Sequence, residues 1–346
     1  MGNEGSEKEI NAFVAFFKVS AKKKDLSKGT NLHAHILRRG LLEKSPCIAS
    51  AVINMYAKCG ELIKAQKVLE DLLVRDVFSW SSLIAGYAQN GKGHEALDCF
   101  DRMQKESLSS NEFTFACILK ACGSIGAIHK GKHIHNEIVH RGLLERNVVI
   151  GNALVDMYTK CGALTKAKQV LLHELPARNV VTWNTLISGY AREGQGQEAL
   201  NCFEQMQREG IAPDAISLLC ILKVFSQTRL YEAQLYFKNM SGEYGITTNL
   251  EHFTSMVFSF GHAGHFDKAM SMIRTMPSSD YPPLWLALLS VCKRWGNVEL
   301  GRLAFEHAIR LDVKHVATYV CMRNIYIGAD MQDYADKIHA MKMENC

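Results

Sequence analysis

The chain has 346 residues, 47% of them apolar and 22% charged, with six prolines and a formal net charge of +5. That composition fills a core and excludes a disordered chain, and no apolar run reaches the ~18 residues of a membrane-spanning helix. The excess of Lys and Arg suits an anionic partner without naming one.

The opening MGNEGSEKE is acidic and holds neither an apolar signal core nor an Arg-rich leader. From residue 10 onward, apolar residues recur at helical spacing, broken by Gly-containing turns. Lys22, Lys23 and Lys24 read as a solvated turn between the first two helices. The most regular stretch is Val180 to Asp214. Trp183, Leu186, Ile187 and Tyr190 form one helical face, and Ala199, Leu200, Phe203 and Met206 form another. Thr182 is placed to cap the first of these helices. Gly194 and Gly196 punctuate the turn, and Gly210 with Pro213 stop the second helix. A helix pair this small cannot bury its apolar faces alone, so it needs neighbours like itself.

The chain supplies them. Gly29, His33, Gly40 and Leu41 recur 102 positions later as Gly131, His135, Gly142 and Leu143. Met55-Tyr56 with Lys58-Cys59-Gly60 recurs as Met157-Tyr158 with Lys160-Cys161-Gly162. Past a one-residue insertion near Leu172 the offset becomes 103, and Trp80, Leu83, Ile84, Gly86 and Tyr87 recur as Trp183, Leu186, Ile187, Gly189 and Tyr190. Such self-similarity marks an all-α repeat architecture. The long period divides into helix-turn-helix units at 10–45, 46–76 and 77–111, then 112–147, 148–179 and 180–214, followed by 215–249 and 250–280. The aromatic residues Trp80, Trp183, Tyr56, Tyr87, Tyr158 and Tyr190 lie on the apolar faces and read as core.

Eleven cysteines sit inside helical patterns, several at matching positions, as with Cys59 and Cys161 or Cys99 and Cys202. No CxxC occurs, so they read as small buried thiols of a reducing compartment, with no disulfide framework and no zinc site. His135-Asn136-Glu137 fits the HxE of a zinc deaminase, but the downstream CxxC that such a site requires is absent. His33 occupies the same position one period earlier, so the histidine is a repeat position. Phosphate-binding loops and nucleophile elbows are also missing, and nothing reads as a catalytic site, a metal site or a cofactor site.

Units of 35, 36 and 31 or 32 residues in alternation, with phrases such as VINMYAKCGELIKAQKVL, SWSSLIAGYAQNGKGHEAL and TWNTLISGYAREGQGQEAL, resemble the pentatricopeptide repeat family. The likeness is to its plant-type branch of P, L and S motifs. Pro283–Asp312 and Ala317–Met343 resemble the two extension motifs that follow the last repeat in that branch, so 281–346 reads as an extension. The fold implied is a right-handed superhelical solenoid of helix pairs.

The resemblance also implies a function, sequence-specific binding of single-stranded RNA at one base per unit. The fifth and last residues of a motif would read the base. These are Ser50 and Asp76, Ser81 and Asn111, Asn152 and Asn179, Asn184 and Asp214, and Thr254 and Asp280. The family's code then gives G, A, a pyrimidine, U and G, with the RNA running 5′ to 3′ along the chain. Val14, Ala116 and Leu219 stand at the fifth position of the L-type units and cannot hydrogen-bond a base. Cys47, Phe78, Val149, Val181 and Glu251 stand at the second position, where an aliphatic residue sandwiches the base, and Glu251 departs from that pattern. The competing view is structural, because Ser, Thr, Asn and Asp are also the preferred helix caps. By resemblance the chain selects a cytidine for C-to-U editing in a mitochondrial or chloroplast transcript. A DYW-type cytidine deaminase or another editing factor would be recruited in trans. The alternatives are an organellar RNA stability or splicing factor of the same fold, and a protein-binding scaffold of tetratricopeptide type.

Overall fold

A computed structural model describes residues 2–43, 45–226 and 229–345. Regular structure among them is entirely helical, and the chain forms two bodies, residues 1–186 and 187–346.

The first body is built of helix pairs: α1 (Gly2–Lys23) with α2 (Leu26–Arg38), α3 (Pro46–Lys58) with α4 (Leu62–Asp71), α5 (Val77–Gln89) with α6 (Gly93–Lys105), α7 (Glu112–Ile125) with α8 (Ile128–His140), and α9 (Val148–Lys160) with α10 (Leu164–Gln169). Helix α11 (Val180–Arg192) begins in this body. The first helices of successive pairs pack on one another, α1 on α3, α3 on α5, α5 on α7 and α7 on α9. Each also packs on its own partner.

The second body holds α12 (Gly196–Arg208), α13 (Ala215–Phe225) with α14 (Leu230–Gly242), and α15 (Leu250–His262) with α16 (Phe266–Thr275). It ends in α17 (Pro282–Trp295) with α18 (Val298–Leu311) and α19 (Val316–Gly328) with α20 (Gln332–Asn345). The same order repeats, with α13 on α15, α15 on α17 and α17 on α19.

The apolar faces meet between these helices. Trp80, Trp183, Phe100, Phe115 and Phe203 are fully buried, and Tyr56, Tyr87, Tyr158 and Tyr190 nearly so. A buried side chain of this size stabilises by roughly 1.5–3 kcal/mol, so the aromatic positions are core. Gly131 recurs from Gly29 because α8 approaches α9 closely there. A Cβ on Gly131 would stand 2.5 Å from Met157 Sδ. Gly60 and Gly162 recur because they close the turn after α3 and α9 with φ of +83° and +74°, a conformation costly for other residues.

Several local expectations are corrected. Helix α1 reaches back to Gly2 rather than starting near residue 10. Lys22 and Lys23 end that helix, and Lys24 alone makes the turn, with φ of +51°. Thr182 does not cap α11. Asn179 Oδ1 takes the capping bond from Thr182 N at 3.0 Å, which places Thr182 inside the first helical turn. Gly196 is the first residue of α12, and a Cβ there would stand 3.0 Å from Val224 Cγ1. The insertion near Leu172 is absorbed as a π-helical turn, Val170–Glu174, that continues α10. One extra residue is what such a bulge accommodates. The thiols are not uniformly buried: Cys99 and Cys202 are, Cys59 and Cys161 are half-buried, and Cys47 is exposed.

Candidate nucleic-acid interface

Each helix-pair junction is built from the residue that closes one unit and the first turn of the next. Asp76, Asn111, Asn147, Asp214 and Asn249 stand at the N-caps of α5, α7, α9, α13 and α15. Their side-chain oxygens accept backbone N–H bonds from the first turn, as at Ser79 N to Asp76 Oδ1 and Thr114 N to Asn111 Oδ1, both 2.8 Å. Asn179 serves α11 in the same way. An oxygen here satisfies an otherwise orphaned donor, so the closing residues have a structural duty in addition to any base contact. Asp280 differs. It precedes Tyr281, the N-cap of α17, and its backbone N donates to Ser278 Oγ at 3.1 Å.

The fifth residues sit one turn into the first helices. Ser50 Oγ donates to Pro46 O at 2.9 Å and Thr254 Oγ1 to Leu250 O at 2.7 Å. Ser81 is only 2% exposed and lies 2.5 Å from Val77 O. Asn184 is also buried. Ser81 and Asn184 are thus sheltered, whereas Ser50 and Thr254 are half-buried.

In two units the structure brings the fifth and last residues together through a third side chain. Thr114 Oγ1 lies 2.6 Å from Ser81 Oγ and 2.8 Å from Asn111 Oδ1. Thr182 Oγ1 lies 2.6 Å from Asn152 Oδ1 and 2.9 Å from Asn179 Oδ1. The 46–76 unit forms other bonds instead. In 46–76, Ser79 Oγ donates to Asp76 O at 2.9 Å, while Ser50 bonds to its own helix. In the second body Ser217 completes a capping box with Asp214, its N donating at 2.8 Å. The residues at this third position, Ser79, Thr114, Thr182, Ser217 and His252, are all fully buried. Apart from Thr182, expected as a cap, sequence reasoning missed them. The available signal was their fixed place three residues after a closing Asp or Asn, the spacing of a capping box.

Beside these polar groups stand exposed apolar ones. Phe78, Val149 and Val181 are 65%, 64% and 53% exposed, although each sits in a helix with a buried core face. Phe113 and Ile216, at the same position in L-type units, are exposed as well. Glu251 is exposed and charged. A cavity of about 510 Å³ in the first body is lined by Phe78 and Phe113 together with Ser50, Ser81, Asn111 and Cys47. It joins apolar plates to hydroxyl and amide groups, the combination that holds a planar heterocycle with polar edges.

Profiles of the PPR repeat family match residues 75–124 and 178–227, and the PPR repeat itself matches 48–77 and 251–281. A pentatricopeptide repeat-containing protein of Arabidopsis thaliana is 31% identical over 344 residues, covering 99% of this chain and 68% of that relative. The chain belongs to the pentatricopeptide repeat family. Another Arabidopsis thaliana relative, the pentatricopeptide repeat-containing protein CRR2, chloroplastic, is 37% identical over 318 residues, 90% of this chain and 48% of its own length. The chain spans between about 38% and 48% of the length of three curated relatives of this kind. Among solved structures, PPR10 in complex with an 18-nt psaJ RNA element shares the fold at a TM-score of 0.72 and 18% identity. That match covers 92% of this chain and 48% of PPR10.

Within this pentatricopeptide repeat chain the histidine of the HxE sequence has a packing role. His135 Nδ1 lies 3.0 Å from Tyr158 Oη, as His33 Nδ1 lies 2.9 Å from Tyr56 Oη. His135 Nε2 is 2.8 Å from Glu174 Oε2, and Glu174 is carried by the π turn and also bonded to Lys166 at 2.9 Å. Burial lowers the pKa of His135, and Glu174 opposes that shift. Burial pushes the Cys99 and Cys122 thiols up to about 12, so neither is a thiolate nucleophile near neutrality.

Proposed function

We propose that this chain binds single-stranded RNA sequence-specifically, one base per repeat unit over 10–280, and acts as a site-recognition factor in organellar RNA processing. The observation that carries this is the cavity lined by Phe78 and Phe113 with Ser50, Ser81 and Asn111, which sets apolar plates beside hydrogen-bonding groups at the family's reading positions. In support, the fold is that of PPR10, solved with an RNA element. Relatives carry chloroplastic and mitochondrial names, in keeping with an organellar site of action. The process favoured by the P, L and S alternation and by the helix pairs α17 to α20 is C-to-U editing. Those last pairs, over 281–346, would serve as extension motifs that recruit a cytidine deaminase, and the chain itself would contribute binding without catalysis.

Ser50 with Asp76, Ser81 with Asn111, Asn152 with Asn179, Asn184 with Asp214, and Thr254 with Asp280 are the proposed readers. Their order predicts the RNA 5′-GANYUNG-3′, where N faces an L-type unit. The test is a titration of the chain with this RNA and with a scrambled RNA of equal length at one fixed salt concentration. Tighter binding of the coded RNA is expected, and equal affinity refutes coded recognition, since phosphate contacts alone are blind to sequence. Asn184→Ser is expected to move the preference at its position from U toward G, with discrimination of about 1–3 kcal/mol.

A further inference from the structure

We infer that the third residue of a following unit, Thr182 above all, is a positioning residue for the two base-reading side chains before it, and that its single hydroxyl proton decides which edge of the paired amide faces the base. The inference rests on the proposed RNA-binding reading.

A threonine hydroxyl has one proton and two lone pairs. Thr182 Oγ1 has two amide neighbours, Asn152 Oδ1 at 2.6 Å and Asn179 Oδ1 at 2.9 Å. It cannot donate to both. Asn179 Oδ1 is already held as an acceptor by Thr182 N at 3.0 Å. Two arrangements are possible. If the proton goes to Asn179, Oγ1 can only accept from Asn152, whose Nδ2 must then turn inward and leave Oδ1 for the base. If the proton goes to Asn152, its Oδ1 is held inward and Nδ2 is left for the base as a donor. Asn152 faces Thr182 Oγ1 with Oδ1 rather than Nδ2, which is the second arrangement. Thr182 thereby presents a donor edge from Asn152 while it keeps Asn179 in register by the capping bond.

The third position follows the fifth residue in part: a hydroxyl, Ser79, Thr114, Thr182 or Ser217, comes after each polar fifth residue except Thr254, after which Pro283 stands. Thr114 makes the same bridge between Ser81 and Asn111. After two of the units with an apolar fifth residue, the third position holds Ile48 and Ile150, which have no hydroxyl. After the remaining one it holds His252, whose Nε2 bonds to Ala215 O at 2.8 Å. A bridging hydroxyl thus appears only where there is a polar reader to orient. The same hydroxyl also serves the helix start, accepting from Asn179 N at 3.4 Å in the manner of a capping box, so the positioning role rests on the added contact with Asn152.

The experiment uses the full chain and 5′-GANYUNG-3′ RNA with the Y position varied through all four bases. Wild type, Thr182→Val and Thr182→Ser are compared by dissociation constant at each base, with thermal melts alongside. Thr182→Val keeps the shape and removes the hydroxyl. It is expected to lower the pyrimidine preference at that position by about tenfold, leaving the preferences at the G and A positions unchanged. Thr182→Ser is expected to restore the preference. Should Thr182→Val fail to fold, Thr114→Val provides the same comparison at the A position. A wild-type preference that survives removal of the hydroxyl overturns the positioning role while leaving coded recognition intact. A wild type blind to the base at every position overturns both.

Discussion

His252 is the residue whose chemistry is most tightly determined by its surroundings. It is fully buried, its Nε2 lies 2.8 Å from Ala215 O, and Asn249 N donates to its Nδ1 at 3.1 Å. A carbonyl only accepts, so Nε2 carries the proton and the ring is neutral. Burial is the main cause that lowers its pKa from 6.5, and Lys223 adds to it. The Ala215 carbonyl and Glu251 oppose the shift. The sign follows from proton uptake. As pH falls through 6.5 the unfolded chain binds a proton that the folded chain refuses, so stability falls with pH in that window. His33 and His135 are lowered by burial too and act in the same direction. A lower melting temperature is expected at about pH 5.5 than at about pH 7.5. His252→Gln keeps a side-chain amide that can donate to Ala215 O, and it should shrink that difference without abolishing it. Melts of both proteins across this range check the expectation, and an unchanged acid sensitivity in the variant would place its source elsewhere.

Among the elements, the closest helix approaches are set by glycine, and they differ in how much they can yield. A Cβ on Gly86 of α5 would stand 2.6 Å from Ala57 Cβ of α3, an atom fixed to the backbone. A Cβ on Gly131 meets Met157 Sδ and Cε at 2.5 and 2.7 Å, the flexible end of a side chain. Gly86→Ala is therefore expected to destabilise by about 1–3 kcal/mol through overpacking, and Gly131→Ala by less, as read by denaturant melts. Equal losses would mean that α3 and α5 separate as easily as a thioether swings aside. These glycines were legible in the sequence because Gly86 and Gly131 have repeat partners in Gly189 and Gly29. Helical periodicity likewise revealed the core faces of α5 and α11. The form of the insertion near Leu172 was not legible. A change of offset shows that one residue was added, but a π turn and a longer loop leave the same trace in sequence. Helix starts were also blurred at Thr182, since Asn179 and Thr182 are both good caps and only backbone geometry separates the cap from the third helical residue.

Across the whole molecule, the candidate interface was legible by position but not by mechanism. Spacing and resemblance located Ser81, Asn111, Asn152 and Asn179. The hydroxyls of Thr114 and Thr182 that join them in pairs come from the next unit, and a linear pattern does not reveal which side chains meet across a junction. That architecture makes a prediction about salt. The chain carries a formal charge of +5, and any attraction to phosphate is paid back as counterions re-condense, so affinity for every RNA must fall as salt rises. The proposed base readers are different in kind. Ser50, Ser81, Asn111, Asn152, Asn179, Asn184 and Thr254 are neutral, and hydrogen bonds between neutral groups release no counterions. In a plot of log affinity against log salt, coded and scrambled RNA should therefore give parallel lines, with a preference ratio that holds while both affinities drop. Asp76, Asp214 and Asp280 sharpen the test, since carboxylates near a phosphate chain would be relieved by added salt. If those carboxylates face the backbone rather than a base edge, Asp→Asn substitutions tighten coded and scrambled RNA alike and leave the preference ratio unchanged, and the reading role of the acidic closing residues is refuted even if the neutral ones survive.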